Sequence, residues 1–425
     1  MHIMFVSAHT SPAASPGRGD AGGMNVYILE LSRQLASLGH HISFVTRRTS
    51  ASVPESVPLE PGIHLFSLQA GAPAPLAKSE LPPVMPEFGL NLANLLQSNS
   101  FIEQFGAPDI VHSHYWLSAL AVEATLRELI VMGEDAPATA ITFHTLATTK
   151  SSAARFELQG KEVALAAGGE RVLAEAELIH SQQAQNIIPV SESERWAIGE
   201  IAGEVRADSP PNAIVTPGVD TAFFRPNNQE VRGRGPNSRY RLAVVGRVQP
   251  FKAQHFALNV VSKLIPLLPD SVIELTLGGS APTEDAAYEL ALRETVTALQ
   301  LEANGMFTST LSREQVREIF SEADLTVIPS LSESFGMVAL ESAACGTPVI
   351  ATNTGGLANS VAHNLSGILL DDRDPEVWAQ EIAQLLLDSD RLSSLSESAR
   401  TFAEQHTWST SAQVLLKNYE QLLSS

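Results

Sequence analysis

Apolar and polar positions along this chain fall into two alternating patterns. Short, nearly uninterrupted apolar runs read as strands buried on both faces: Ile3-Met4-Phe5-Val6, His41 to Val45, Asp109-Ile110-Val111, Ala140-Ile141-Thr142-Phe143, Ile187-Ile188-Pro189-Val190 and Ala213-Ile214-Val215. Between them the apolar residues recur at three- and four-residue steps. Met24, Tyr27, Ile28, Leu31, Leu35 and Leu38 predict one such helix, with Gly39 at its C-cap. The alanine-rich stretch Glu157 to Glu177 is helical in propensity. The segment Asn227 to Ser238, polar and rich in Gly, Arg and Asn, reads as a linker. Beyond it the rhythm restarts with Leu242-Ala243-Val244-Val245, Val272 to Leu277, Leu325-Thr326-Val327-Ile328 and Pro348-Val349-Ile350. Strands alternating with helices imply parallel, doubly wound sheets, and the restart implies two of them. The expected architecture is therefore α/β, with two Rossmann-like domains, 1–220 and 221–404, facing a cleft. The last helix, 405–425, carries Val414, Leu415, Tyr419 and Leu422 on one face and is expected to pack back on the first domain.

Composition sharpens this picture. A chain of 425 residues exceeds one ordinary core, and 44% hydrophobic with 17% charged residues describes a globular protein with a large interior. A formal net charge of −20 argues against nucleic acid or an anionic membrane as main partner. It leaves room for a phosphorylated small ligand, which needs only a few local cations. The single cysteine, Cys345, excludes an intramolecular disulfide and a cysteine-based zinc cluster. The sequence opens directly in a strand, with no basic leader and no long apolar segment, so a cytoplasmic protein without membrane insertion is expected.

Four stretches carry candidate chemistry. Pro16-Gly17-Arg18-Gly19-Asp20-Ala21-Gly22-Gly23-Met24-Asn25-Val26-Tyr27 lies between a strand and a helix, so bare N–H groups and a positive helix end point where a phosphate could sit. Gly22 and Gly23 let a ligand reach the main chain; a plain tight turn would use the same residues. Gly246-Arg247-Val248-Gln249-Pro250-Phe251-Lys252 follows a strand and supplies two cations suited to a departing diphosphate, or simply a solvated basic turn. In Ser332-Glu333-Ser334-Phe335-Gly336-Met337-Val338-Ala339-Leu340-Glu341, Glu333 precedes a helix start and Glu341 lies about two turns further on. The first could accept sugar hydroxyls and the second a vicinal diol such as that of ribose; both could instead be caps and dipole partners. Cys345-Gly346-Thr347-Pro348 and Asn353-Thr354-Gly355-Gly356 add a further strand and a further backbone-exposing loop.

In combination, Gly246-Arg247 with Lys252, the Glu333–Glu341 spacing, Gly346-Thr347-Pro348-Val349-Ile350 and Gly355-Gly356 resemble the retaining glycosyltransferases of family 4, which have the GT-B fold. His9-Thr10-Ser11-Pro12, the Pro16–Tyr27 loop, His112-Ser113-His114-Tyr115-Trp116-Leu117-Ser118 and His144-Thr145-Leu146 are similar to the branch that moves N-acetylglucosamine from UDP-GlcNAc to 1D-myo-inositol 3-phosphate, the opening step of mycothiol biosynthesis. The resemblance implies catalytic roles for Arg247, Lys252, Glu333 and His144. It implies donor binding by His9, Gly23, Arg247, Lys252, Glu333, Glu341 and Thr347, and acceptor binding by Asp20, Asn25, Lys78, Tyr115, Thr145 and Arg171. Lys78, Tyr115, Thr145 and Arg171 would hold the acceptor phosphate and Asn25 inositol hydroxyls. Taken alone, Lys78 and Arg171 are ordinary surface cations, and Tyr115, Thr145, His114 and His144 are core residues.

Three places depart from the family pattern: Ala119 replaces a usual glycine, Thr148-Thr149 follows Leu146 unusually, and Thr310 stands where an arginine is often found near uridine. No Asp-x-Asp motif is placed to hold a nucleotide through magnesium, so no metal and no cofactor is expected; the UDP-sugar is a substrate. The resemblance also suggests a homodimer. A sucrose-phosphate-synthase-like transferase using UDP-glucose and a sugar phosphate is the alternative activity. A UDP-sugar 2-epimerase finds no support in these loops. A nucleotide-sugar binder without catalysis has less need of charge placed at a leaving group.

Overall fold

The computed structural model describes residues 1–14, 21–152, 155–158, 161–164, 169–181, 186–203, 213–227, 238–282 and 285–424. The chain divides into two compact units: Met1–Thr149, Ala167–Thr216 and Trp408–Ser425 form the first, and Lys150–Ala166 with Pro217–Thr407 the second.

The first unit runs β1 (His2–Val6), α1 (Gly23–Ser37), β2 (His41–Arg47), β3 (Ser56–Glu60), β4 (Ile63–Leu68), α2 (Met85–Leu96), α3 (Asn99–Phe105), β5 (Ile110–His114), α4 (Trp116–Met132), β6 (Ala138–Thr142) and α5 (Ala147–Ser152). A two-stranded antiparallel hairpin, β7 (Arg155–Leu158) and β8 (Lys161–Ala164), comes next, and the first unit resumes with α6 (Gly169–His180) and α7 (Glu192–Ala202). The sheet order is β3-β4-β2-β1-β5-β6, parallel except for β3 at the edge. Every residue of β1 is buried, as helices on both faces of a parallel sheet demand. On α1, Tyr27, Ile28, Leu31 and Leu35 are buried as the periodicity requires, whereas Leu38 is 53% exposed because it is already the C-cap. Gly39, at φ +87°, closes that helix: its N–H donates to Ala36 O (3.0 Å) and that of His40 to Leu35 O (3.1 Å).

The second unit runs β9 (Arg239–Val245), α8 (Gln254–Leu264), β10 (Val272–Gly278), α9 (Ala286–Ala298), β11 (Gly305–Phe307), α10 (Arg313–Glu322), β12 (Leu325–Ile328), α11 (Met337–Ala344), β13 (Val349–Thr352), α12 (Leu357–Ser360), β14 (Gly367–Leu370), α13 (Pro375–Leu387) and α14 (Ser389–Gln405). Its sheet, β11-β10-β9-β12-β13-β14, is parallel throughout and has the strand order of a dinucleotide-binding fold. The final helix α15 (Trp408–Ser424) belongs to the first unit. Its Trp408 ring meets Tyr27 at 6.0 Å.

Three sequence expectations are corrected. The stretch from Glu157 is not continuously helical: Glu157 and Leu158 lie in β7, Lys161–Ala164 form β8, and α6 begins at Gly169. Ile187–Val190 makes a single parallel bridge, to Ile141, because Pro189 has no N–H with which to continue a ladder. Ala213–Val215 forms no strand. Its backbone is satisfied elsewhere: the Asn418 side chain brackets Ala213, the N–H of Val215 donates to Pro189 O (2.9 Å), and Tyr27 Oη donates to Val215 O (3.0 Å). Of the expected linker, 228–237 lies outside the described residues.

Candidate active site

In the first unit the strand order reverses between β1 and β5, so the segments leaving these strands diverge at the carboxyl edge of the sheet, where α/β folds take ligands. The segment after β1 ends at Gly22, and Asn25 clasps its described part. The N–H of Gly22 donates to Asn25 Oδ1 (2.9 Å), while Asn25 Nδ2 donates to Ser11 O (2.7 Å) and Thr10 Oγ1 (3.1 Å). This corrects the placement of Asn25 on inositol hydroxyls: it is 1% exposed and both amide hydrogens are engaged, so it shapes the loop. Gly23 is exposed at the first position of α1, where helical N–H groups lack intrahelical acceptors. Asp20 lies outside the described residues.

Two residues with left-handed backbone turn the chain sharply at the ends of β5 and β6: Tyr115 (φ +76°) and His144 (φ +62°). The Tyr115 N–H donates to Thr142 O (2.8 Å), pinning one turn beside the other. Arg171 reaches them from α6. Its Nη2 donates to Thr145 O (2.6 Å) and Thr145 Oγ1 (3.2 Å), and its guanidinium lies 4.8 Å from the centre of the Tyr115 ring. Arg171 is held by Glu175, one turn along α6, whose Oε1 accepts from Arg171 Nε (2.7 Å) and whose Oε2 accepts from the Ala147 N–H (2.7 Å). Tyr115, Thr145 and Arg171 thus come together, and the His9 ring packs on Tyr115 at 4.5 Å. Lys78 is half-buried on the short 3-10 turn Lys78–Glu80, and the loop leading to it is gathered by buried Arg47, which donates to Ala70 O, Ala72 O and Ala74 O.

Behind this edge lies a run of buried histidines. Thr142 Oγ1 donates to Ile188 O (2.8 Å), so it accepts from His112 Nε2–H (2.9 Å), and His112 Nδ1 accepts from Tyr419 Oη (2.7 Å) on α15. His114 Nδ1 and His144 Nε2 are 2.9 Å apart. Burial pushes His112 and His144 down to about 3 and His114 well below the usual imidazole range, so all three are neutral at pH 7.

In the second unit the reversal falls between β9 and β12. Gly246 (φ +152°) leaves β9, and its carbonyl oxygen would lie 2.1 Å from any Cβ on Gly279, so that position must be glycine for Arg247 to emerge where it does. Arg247 is half-buried, with its carbonyl accepting from Gln254 Nε2 (2.8 Å). Lys252 Nζ forms an ion pair with Glu333 Oε2, and Ser330 Oγ also donates to that oxygen (3.4 Å). Glu333 sits in the loop after β12, its carbonyl accepting from the Gly356 N–H (2.8 Å). Glu341, on α11, is raised to about 7 by burial, opposed by the charge of Arg313. Lys252 and Glu333 are therefore in contact; Glu341 stands about one turn into α11, not two helical turns from Glu333, because Glu333 to Gly336 is loop.

Residues 227–402 match the family described as Glycosyl transferases group 1, and residues 21–223 match Glycosyltransferase Family 4. The D-inositol 3-phosphate glycosyltransferase of Thermobispora bispora is 35% identical over 99% of this chain and 95% of its own. That of Mycolicibacterium smegmatis is 33% identical over 99% and 91%. The chain belongs to the family 4 glycosyltransferases. Among solved structures, sucrose-phosphate synthase from Thermosynechococcus elongatus has a TM-score of 0.80 at 23% identity, covering 100% of this chain and 99% of that one. Anabaena HepE in complex with UDP and glucose has a TM-score of 0.69 at 16% identity, covering 99% and 100%. The fold is GT-B.

Within this glycosyltransferase one donor assignment needs correction. Thr347 is 3% exposed and its hydroxyl donates to Phe320 O and Ala323 O, so it ties down the end of α10. Thr310, exposed and bonded to Ser280 Oγ (3.2 Å), brings no charge, but Arg313 one turn later supplies the cation that acts on Glu341. Sequence reasoning missed Arg47 and Ser330, and read Glu175 only as the end of an Arg-x-x-x-Glu run from Arg171, with no role of its own. Only Glu175 had a local signal, its helical spacing from Arg171.

Proposed function

We propose that this glycosyltransferase moves N-acetylglucosamine from UDP-GlcNAc to 1D-myo-inositol 3-phosphate with retention at the anomeric carbon. The convergence of Arg171, Thr145 and Tyr115 carries this reading: a guanidinium, a hydroxyl and an aromatic ring at one sheet edge suit a phosphate monoester on a polyol. Lys78 adds a second cation for the acceptor, and the names of the relatives support the same substrate.

On the donor side, Arg247 and Lys252 stabilise negative charge on the diphosphate as the sugar–oxygen bond breaks. Glu341 accepts from the ribose diol, and Glu333 orients sugar hydroxyls while its pairing with Lys252 keeps that ammonium in place. The Gly23 end of α1 takes phosphate oxygens. An inositol oxygen bonds to the anomeric carbon on the face the diphosphate leaves, and its proton passes to the departing phosphate oxygen. The two cations take the role a magnesium ion would have, so chelator should leave the rate unchanged.

The test is a matrix of donors (UDP-GlcNAc, UDP-glucose) against acceptors (inositol 3-phosphate, free inositol, fructose 6-phosphate), with mass and anomeric configuration of the product read out. Transfer of N-acetylglucosamine to inositol 3-phosphate with an α-linkage is expected. Preference for fructose 6-phosphate and UDP-glucose would replace this reading with a sucrose-phosphate-forming one, and UDP binding without product would remove catalysis altogether.

A further inference from the structure

The contact between His114 and His144 determines what His144 can do. One hydrogen lies between His114 Nδ1 and His144 Nε2, and either ring could carry it. Were His144 the donor, neutral His114 would hold its own hydrogen on Nε2. That atom is fully buried and has no hydrogen-bond partner, and the ring is walled by Phe5, His112 and Tyr27, at centroid distances of 5.1, 4.2 and 6.1 Å. An orphaned buried N–H is a rare and costly arrangement. His112 does not relieve it, because both of its nitrogens are engaged, by Tyr419 and Thr142. The opposite assignment places the hydrogen on His114 Nδ1, leaves only a lone pair at the buried Nε2, and obliges neutral His144 to carry its proton on Nδ1. Burial keeps both rings neutral.

We infer that His114 is a positioning residue that fixes His144 as the Nδ1–H tautomer, so that His144 meets its ligand as a hydrogen-bond donor and not as a base. The inference rests on the proposed transfer reaction for His144's place beside the reacting groups; the proton assignment itself does not. Its chemical consequence is specific. The Nε2 lone pair is engaged by His114 and Nδ1 already bears hydrogen, so His144 has no lone pair with which to deprotonate the acceptor hydroxyl. That proton must go elsewhere, to the departing phosphate oxygen. What His144 recognises must offer an oxygen lone pair, from a sugar hydroxyl or a phosphoryl group. His144 also holds a left-handed backbone (φ +62°), unusual for a residue other than glycine.

The experiment is long-range ¹H–¹⁵N correlation spectroscopy of the full chain labelled at histidine, with the His144 resonances identified by their loss in His144→Gln. Expected are a protonated, pyrrole-type Nδ1 and a pyridine-type Nε2 at His144. His114→Phe should shift His144 toward the Nε2–H form that free imidazole prefers and lower kcat roughly tenfold. His114→Asn, whose side-chain N–H reaches the place of ring Nδ1, should restore both. A protonated Nε2 at His144 in the unaltered protein would overturn the inference, as would a tautomer unmoved in folded His114→Phe. The spectrum of the unaltered protein decides the matter even if His114→Phe fails to fold. If no sugar transfer is found with any substrate pair, the functional reading falls while the spectrum still reports the tautomer.

Discussion

No side chain fits between Gly355 and Glu333. A Cβ on Gly355 would stand 2.1 Å from the carbonyl oxygen of Glu333, and Gly355 itself holds φ +53°. The loop after β13 thus lies directly on the loop after β12 and sets the height of the glutamate that grips Lys252.

Gly355→Ala should therefore displace the Glu333 backbone. Left-handed strain costs about 1–2 kcal/mol and the clash with main chain adds to it. Sugar transfer is expected to fall at least roughly a hundredfold, the loss typical of a misplaced charge contact, while circular dichroism at room temperature stays native. Transfer at the normal rate would mean that the contact does not position Glu333.

On the proposed reading, Glu341 makes the donor site sensitive to pH. Its carboxyl is raised to about 7, so at pH 6 it is mainly protonated and a poor acceptor for a ribose diol. The value of kcat/KM for the UDP-sugar should rise as pH increases through about 7. In Glu341→Gln the rate should be lower and this acid limb absent. An unchanged limb in the variant would assign it to another group.

Glu194 is a buried carboxyl whose protonation bears on the stability of the first unit. It is 5% exposed and raised to about 7, chiefly by burial and further by the charge of Glu175, with the Val190 N–H opposing. Because the folded state holds this proton more tightly than the unfolded chain, the contribution is fully present below about pH 4.5 and is lost as pH rises through about 7. Glu194→Gln, which mimics the protonated form, should gain stability relative to the native protein between pH 5 and pH 8, by as much as ~3 kcal/mol. Melting temperatures of the pair at the two pH values check this; a constant difference would refute it.

Much of the loop framework of the candidate site was legible because it follows from local chemistry. Arg247, Lys252, Glu333 and Glu341 lie in or after loops leaving strands, and glycines mark where the backbone must crowd or turn. Asn25 and Thr347 were misjudged because a polar side chain beside a glycine loop can face a ligand or tie the loop to itself. Only the positions of Ser11, Thr10, Phe320 and Ala323 distinguish these. The helix expected from Glu157 failed because propensity is a weak local preference that strand pairing overrides.

By itself, then, the chain's pattern of apolar runs and amphipathic periods determined two doubly wound sheets, since burial of a strand on both faces and of one helical stripe is written in period and composition. The edge strands β3, β11 and β14 escaped it, being half-exposed or very short, and so did β4 beside β3. The tertiary structure alone decided which hydrogen bonds the buried polar residues make. His112 and Tyr419 are 307 positions apart, His114 and His144 30, and Lys252 and Glu333 81. A donor finds its acceptor through space, and no local rule in the sequence fixes which distant atom arrives.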